Sequence, residues 1–315
     1  MNAPVSSSLA TPPEPMAHLN RGRWHTWVDI LKRDKRPLAG LAILLLFILM
    51  ALFAPLLTPY SPTATTFSPL AAPSAHHWLG TTANGQDVWS QFLYGGRVSL
   101  GVGFFAGLLA TALAIILGML PAYLGGWLDT VMATLTNIML VIPGLPLLIV
   151  ITAYVHQTGP VTIALVIGLT GWAWGARILR SQTLTLARRD FVTASRLAGE
   201  GRWRVLVAEI LPNMLSLVIA NLVFATIGAI LAEASLEFLG LGNPSTVTWG
   251  TMLYWADIGD ALLNGAWWWI IPPGLSIALV GLSLALINFG VDQVSNPRLR
   301  LNRVKSSRPA KGGTR

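Results

Sequence analysis

Six long apolar stretches, none containing a lysine or arginine, constrain this chain more than any other feature. They run roughly Leu38–Leu57, Val98–Leu124, Val131–Val155, Val161–Ala176, Met214–Ala232 and Trp267–Gly290. A hydrocarbon core takes about 20 helical residues to cross, and each run is close to or beyond that length. In lipid every backbone N–H and C=O must be satisfied within the protein, so only helices or closed barrels span it. Runs this long, without strict alternation, mean helices. The expected fold class is all-α: a polytopic membrane protein with six transmembrane helices. The shortest run, Val161–Ala176, is expected to borrow Arg177, whose long stem can reach the interface.

Charge points the same way. Only 11% of the residues are charged, against about 25% in soluble domains, and the mean hydropathy is +0.61. The net charge of +8 would also suit a nucleic-acid binder, but its distribution explains it otherwise. Twenty of the 21 Lys and Arg residues fall in three segments: Arg21 to Arg36, Arg177 to Arg204, and Arg298 to Arg315. With six spans these segments share one side, and basic loops stay in the cytoplasm. The sequence contains no cysteine, which excludes disulfides and thiolate metal sites. A cleaved signal peptide would have a shorter apolar core and a small-residue cleavage site. The first run instead has full bilayer length and ends near Pro55 and Pro59.

This divides the chain into a disordered cytoplasmic tail over 1–25, an N-terminal region over 26–97 with the first span, a five-span core over 98–292, and a basic cytoplasmic tail over 293–315. The stretches Thr58–Arg97 and Leu236–Ala266 fall on the outer side. Their apolar residues suit segments lying on the membrane surface or capping a pore. Trp267, Trp268 and Trp269 fit an interfacial aromatic belt.

The second basic segment carries a motif. It reads Asp190-Phe191-Val192-Thr193-Ala194-Ser195-Arg196-Leu197-Ala198-Gly199, and continues through Gly201 to Leu211-Pro212-Asn213. This resembles the EAA loop of ABC importer permeases: Glu-Ala-Ala, three residues, Gly, a nine-residue spacer, then Ile-x-Leu-Pro. Ala194, Gly199, Leu211 and Pro212 are in register. Thr193 and Ser195 replace Glu and Ala, and Glu209 stands where Ile is usual. Three further stretches resemble the second permease of dipeptide and oligopeptide importers. They are Leu79 to Leu100, with Gly80-Thr81 and Gly95-Gly96-Arg97-Val98-Ser99-Leu100; Glu233-Ala234-Ser235-Leu236-Glu237-Phe238-Leu239-Gly240-Leu241-Gly242; and Asn288 to Asp292 with Asn296-Pro297-Arg298. Trp249-Gly250-Thr251-Met252-Leu253 is also familiar there. Gln86 and Gln91 stand where the family has Arg, Glu237 where it has Ser, and Asn296 where it has Asp.

The resemblance to the binding-protein-dependent dipeptide, oligopeptide and nickel importers implies a type I ABC importer transmembrane domain. It implies four kinds of partner: a homologous second permease completing the pore, two cytoplasmic ATPase subunits, an external substrate-binding protein, and the bilayer. Asp190, Thr193, Ala194, Ser195, Gly199, Gly201, Leu211 and Pro212 would form the ATPase-coupling loop. A short helix there would insert into a groove on the ATPase, Gly199 would let the chain turn, and Asp190 would cap the helix. Di- or oligopeptides are the leading substrates; nickel chelates, glutathione and oligosaccharides are carried by relatives. ATP and magnesium would reside on the partner subunits, since this sequence has no phosphate-binding Gly-x-x-x-x-Gly-Lys-Ser/Thr.

Individual residues leave alternatives open. Glu233 near the outer end of the fifth helix either lines the translocation pathway or pairs with a neighbouring helix. Pro143 and Pro146 should bend the third helix, for the pathway or for packing. Asp87 is the expected ion-pair partner of Arg97, the one basic residue outside the three segments. Adjacent His76 and His77 lack further ligands and read as surface loop rather than metal site. A secondary carrier would show internal repeats, and an intramembrane enzyme would show polar groups converging at mid-depth; neither pattern stands out.

Overall fold

The computed structural model describes residues 35–155 and 159–295. The tails assigned above to 1–25 and 293–315 therefore lie almost wholly outside the described residues, as do Asn296, Pro297 and the basic residues Arg21, Arg23, Lys32, Arg33 and Arg298 to Arg315. Among the described residues there are no strands, only an isolated bridge between Thr81 and Asp87. Besides a single turn at Ala54–Leu57, the helices are α1 (Lys35–Leu52), α2 (Val88–Leu124), α3 (Gly126–Val141), α4 (Gly144–Tyr154), α5 (Pro160–Thr170), α6 (Trp172–Leu186), α7 (Asp190–Leu197), α8 (Arg202–Phe238), α9 (Trp249–Ile258) and α10 (Trp267–Ser295). Five spans are long and apolar enough to cross a membrane: α1, α2, α5 with α6, α8, and Trp267–Val291 of α10. The remaining apolar run, Val131–Val155, is the pair α3 and α4, bent by 90°.

That bend is sharper than a kink. Ile142 precedes Pro143 and takes an extended ψ of 125°, the conformation a following proline imposes. Pro143 then starts α4 with no N–H to give, so the run is two helices.

Helix α2 is the hub, packing against α1, α5, α6, α8 and α9. Its contact with α8 depends on Gly103 and Gly107. A Cβ at Gly103 would lie 2.2 Å from Ile230 Cγ1, and one at Gly107 would lie 2.8 Å from Thr226 Cα. Small residues four apart let backbones approach where lipid offers no hydrophobic drive. Advancing along α2 goes back along α8, so the two run antiparallel.

Both long helices contain a π segment directly before a proline. Leu120 N–H bonds to Ile115 O ahead of Pro121, and Leu211 N–H bonds to Leu206 O ahead of Pro212. Proline removes one N–H from the ladder, and the wider turn absorbs the mismatch without breaking the helix.

Helices also run further than the apolar runs. α2 begins at Val88, ten residues before Val98, and α8 spans Arg202 to Phe238. The fourth span reaches Leu186, so Arg177 and Arg180 are helical. Hydrogen bonding continues past the apolar stretch because water and side chains are available there. Of the three tryptophans, only Trp267, 52% exposed, suits an aromatic belt; Trp268 and Trp269 are buried in a cluster with Phe47, Val88, Phe92 and Trp249.

Candidate functional site

The coupling-type loop is built as two helices separated by a tight stop. Helix α7 is amphipathic in the simplest sense: Val192 is fully buried, while Asp190, Thr193, Ala194, Arg196 and Leu197 are exposed. Val192 enters a cluster with Val205, Leu206, Ile210 and Met214 of α8 and Ala176 and Leu179 of α6. One side chain thus anchors the helix and leaves its other face outward, with Leu197 84% and Phe191 39% exposed.

The stop is a Schellman arrangement. Gly199 N–H donates to Arg196 O at 3.1 Å and Glu200 N–H to Ser195 O at 3.1 Å. Gly199 has φ +83° with nothing within 4 Å of a hypothetical Cβ. Its requirement is backbone angle, not space. Thr193 and Ser195 donate their hydroxyls to Arg189 O at 3.3 Å and Phe191 O at 3.1 Å, so both polar side chains are satisfied within the helix. Gly201 is the N-cap of α8 with extended ψ of 147°. Leu211 and Pro212 stand where the π segment ends.

Asp190 does not cap the helix. Arg189 occupies the cap position without a side-chain hydrogen bond, and Asp190 is the first helical residue. Its negative charge still suits the positive end of the helix dipole.

The loop is held to the rest of the chain from above. Arg180 forms a two-pronged pair with Asp129 of α3, Nε to Oδ1 at 2.7 Å and Nη2 to Oδ2 at 2.8 Å. Arg177 Nη2 donates to Asn137 Oδ1 at 2.7 Å. Helix α6 therefore carries α7 at its end and grips the first half of the broken helix along its side. The sequence reading missed both links, because their partners lie 51 and 40 residues apart.

Glu233 lies elsewhere, in the chain's own packing. It is 1% exposed, and Ser99 Oγ of α2 donates to its Oε1 at 3.1 Å. The same Ser99 Oγ accepts from Trp249 N at 3.1 Å, so one hydroxyl joins α2, α8 and α9. Glu237, one turn on, is 2% exposed, with Gly242 and Gly250 packed against it. Pro143 and Pro146 sit on the exposed side of the α3–α4 break.

Two loop assignments need correction. Asp87 does not pair with Arg97, which is exposed. Its Oδ2 caps α2 through Ser90 N at 2.8 Å and Ser90 Oγ at 2.7 Å, and its Oδ1 lies 2.9 Å from His77 Nδ1. His77 is accordingly not a surface residue but half-buried, beside Phe67 and Tyr60. A helix N-terminus with free N–H groups outbids an arginine ten residues along the helix. No group of three or more His, Cys, Asp or Glu that could hold a metal occurs among the described residues.

Comparison with known proteins decides the family. The model for the binding-protein-dependent transport system inner membrane component matches residues 110–301. The chain belongs to that family. The N-terminal transmembrane domain of oligopeptide transport permease C matches residues 22–73. The dipeptide transport system permease protein DppC of Bacillus subtilis (strain 168) is 35% identical over 86% of this chain and 84% of its own length. The di/tripeptide transport system permease protein DppC of Pseudomonas aeruginosa (strain UCBPP-PA14) is 33% identical over 95% of this chain and 97% of its own. The oligopeptide transport system permease protein OppC of Bacillus subtilis (strain 168) is 32% identical over 87% and 90%. The chain is thus a multi-pass inner-membrane permease subunit of an ABC importer, not an enzyme. It is similar to these peptide permeases over nearly its whole described length.

Proposed function

We propose that this permease carries di- or oligopeptides inward, as one of two homologous subunits enclosing the pore. Two ATPase subunits bind ATP and magnesium beneath it, and an external binding protein delivers the substrate. Both termini and the α6–α8 loop face the cytoplasm. The substrate class rests on the names of the dipeptide, di/tripeptide and oligopeptide permeases to which the chain is similar.

One observation carries the coupling reading: Val192 is the one buried residue of α7, and most of the helix's remaining surface faces outward. A helix presented this way suits insertion into a partner's groove. Force applied there by ATP-driven closure would pass to α6 and α8, which flank α7 and share its buried cluster. The substrate then shifts the inward–outward equilibrium only by its differential affinity for the two states.

The test is the transporter reconstituted with its ATPases and binding protein, measuring uptake and ATP hydrolysis together. Ala194→Glu places a charge on the docking face, and Gly199→Val forces a β-branched residue to φ +83°. Each should lower uptake at least about tenfold, the effect of about 1.4 kcal/mol. Substrate capture by the binding protein should stay normal. Unchanged uptake and coupling in both variants would show that this loop does not couple. The permease purified alone should not hydrolyse ATP.

A further inference from the structure

A cavity of about 360 Å3 opens beside the coupling helix, lined by Tyr123, Leu124, Arg196, Glu200 and Arg202. Its walls come from the end of α2, the end of α7 and the start of α8. Its charge is lopsided. Glu200 is engaged by Arg204, with Oε1 3.4 Å from Nε. Arg196 holds its guanidinium 5.0 Å from the centre of the Tyr123 ring. Among the described residues, neither Arg196 nor Arg202 has a carboxylate partner or a side-chain hydrogen bond. Tyr123 is 7% exposed, and its hydroxyl has no hydrogen-bond partner. The cavity therefore offers two guanidiniums without a carboxylate partner, one of them stacked on the ring of a phenol whose hydroxyl is unpaired.

Its depth identifies the surroundings. Leu124 ends one helix that can cross the membrane and Arg202 begins another. Trp127 and Trp203, three residues after Leu124 and one after Arg202, are 76% and 63% exposed, and exposed tryptophans mark the headgroup level. Guanidinium binds phosphate with a forked geometry that ammonium lacks. The volume is that of a small-ligand site, large enough for a phosphodiester.

We propose that this cavity holds the phosphate of an anionic membrane lipid, which links the end of α2 to the coupling helix. Arg196 and Arg202 grip the phosphate oxygens. The acyl chains enter the bilayer beside α2. A lipid seated there adds an anchor to α7 besides Val192 and the Arg196–Tyr123 contact, so the anionic content of the membrane tunes how firmly the coupling helix is held. The inference requires the loop to lie at a membrane surface, not that it dock an ATPase. Its fate is therefore separate from that of the Ala194 and Gly199 variants.

The experiment uses the transporter purified with its partner subunits, delipidated in detergent and titrated with phosphatidylglycerol. Bound lipid is read by native mass spectrometry, with phosphatidylcholine and inorganic phosphate as separate arms. The intact transporter should retain phosphatidylglycerol in preference to phosphatidylcholine. Arg196→Gln with Arg202→Gln should weaken that retention about 25-fold, about fivefold for each arginine. Arg202 is exposed and lies on α8 rather than on the docking helix, so Arg202→Gln alone should weaken retention about fivefold with assembly and thermal unfolding unchanged. Unaltered retention in the double variant would overturn the proposal. So would equal retention of phosphatidylcholine, or displacement of the lipid by millimolar phosphate, which would assign the cavity to a soluble anion. Lipid held by the isolated permease but lost on ATPase assembly would give the cavity to an ATPase side chain and overturn it equally.

Discussion

Arg180 and Asp129 show how a single pair can set the geometry of two elements. Their side chains are 33% and 17% exposed, so water screens the pair only in part. A forked arginine–carboxylate contact is stronger than an ordinary surface ion pair. Arg180→Ala should lower stability by about 1–2 kcal/mol, within the range for hydrogen bonds to charged groups. Arg180→Lys should recover only part, because an ammonium cannot make both contacts. Thermal unfolding of the purified chain in detergent checks this, and a melting temperature unchanged in Arg180→Ala would remove the pair from the structural account. Neither partner announces itself in the sequence. Asp129 reads as one acid in a short loop, and Arg180 as one of many basic residues fixing topology. Asp87 and Asp190 teach the same lesson in reverse. Each has an obvious neighbour or role in the linear sequence and does not take it: Asp87 bonds Ser90 and His77 instead, and Asp190 falls one position inside the helix rather than at its cap. Gly199 is different: its left-handed φ is a local demand, so its spacing from Ala194 made it legible without the fold.

Elements were legible where hydrophobicity decided them. The six apolar runs, the short helix α7 and the turn at Gly199 could all be read from residue type and spacing. The breaks and extensions could not. The π segments before Pro121 and Pro212 preserve helices that proline would otherwise interrupt, whereas before Pro143 the chain turns extended at Ile142 and the helix ends. Helix α9 was legible only as a familiar string of residues, and the structure gives that string a reason. Thr248 caps it, accepting from Thr251 N at 3.0 Å. Trp249 is 1% exposed, stacks on Phe92 with centroids 6.1 Å apart, and donates Nε1–H to Phe92 O at 3.1 Å. It fills the space where α1, α2, α9 and α10 meet. Trp249→Ala should cost about 3–5 kcal/mol, as large-to-small changes of buried aromatics do, and Trp249→Phe distinctly less. Denaturant unfolding in detergent measures both. A Trp249→Ala chain as stable as the parent would mean that this cluster does not hold α9 in place.

At the scale of the molecule, the family membership fixes a multi-pass permease, while its sidedness rests on charge alone. The basic segments outnumber anything between them, and basic loops resist translocation. The structure adds a separation that the charge argument needs. The loop between α1 and α2, from Thr58 to Asp87, packs against the start of α10 through Trp268 Nε1, which donates to Thr81 O at 3.3 Å. The coupling loop instead packs with the ends of α2 and α6. The two loops thus lie at opposite ends of the antiparallel pair α2 and α8, so they cannot share a membrane face. A parent chain without cysteine makes the sidedness measurable. Ala72 and Arg188 are both exposed, and neither side chain forms an ion pair among the described residues. A membrane-impermeant thiol reagent applied to cells with a permeable outer envelope should label Ala72→Cys at once. It should reach Arg188→Cys only after the inner membrane is opened. The reverse pattern would put the coupling loop outside and end its assignment to a cytoplasmic ATPase. Labelling of both in sealed cells would mean that the loops between spans do not alternate as the six-span scheme requires, and the 90° pair α3 and α4 would then be a re-entrant hairpin rather than a crossing.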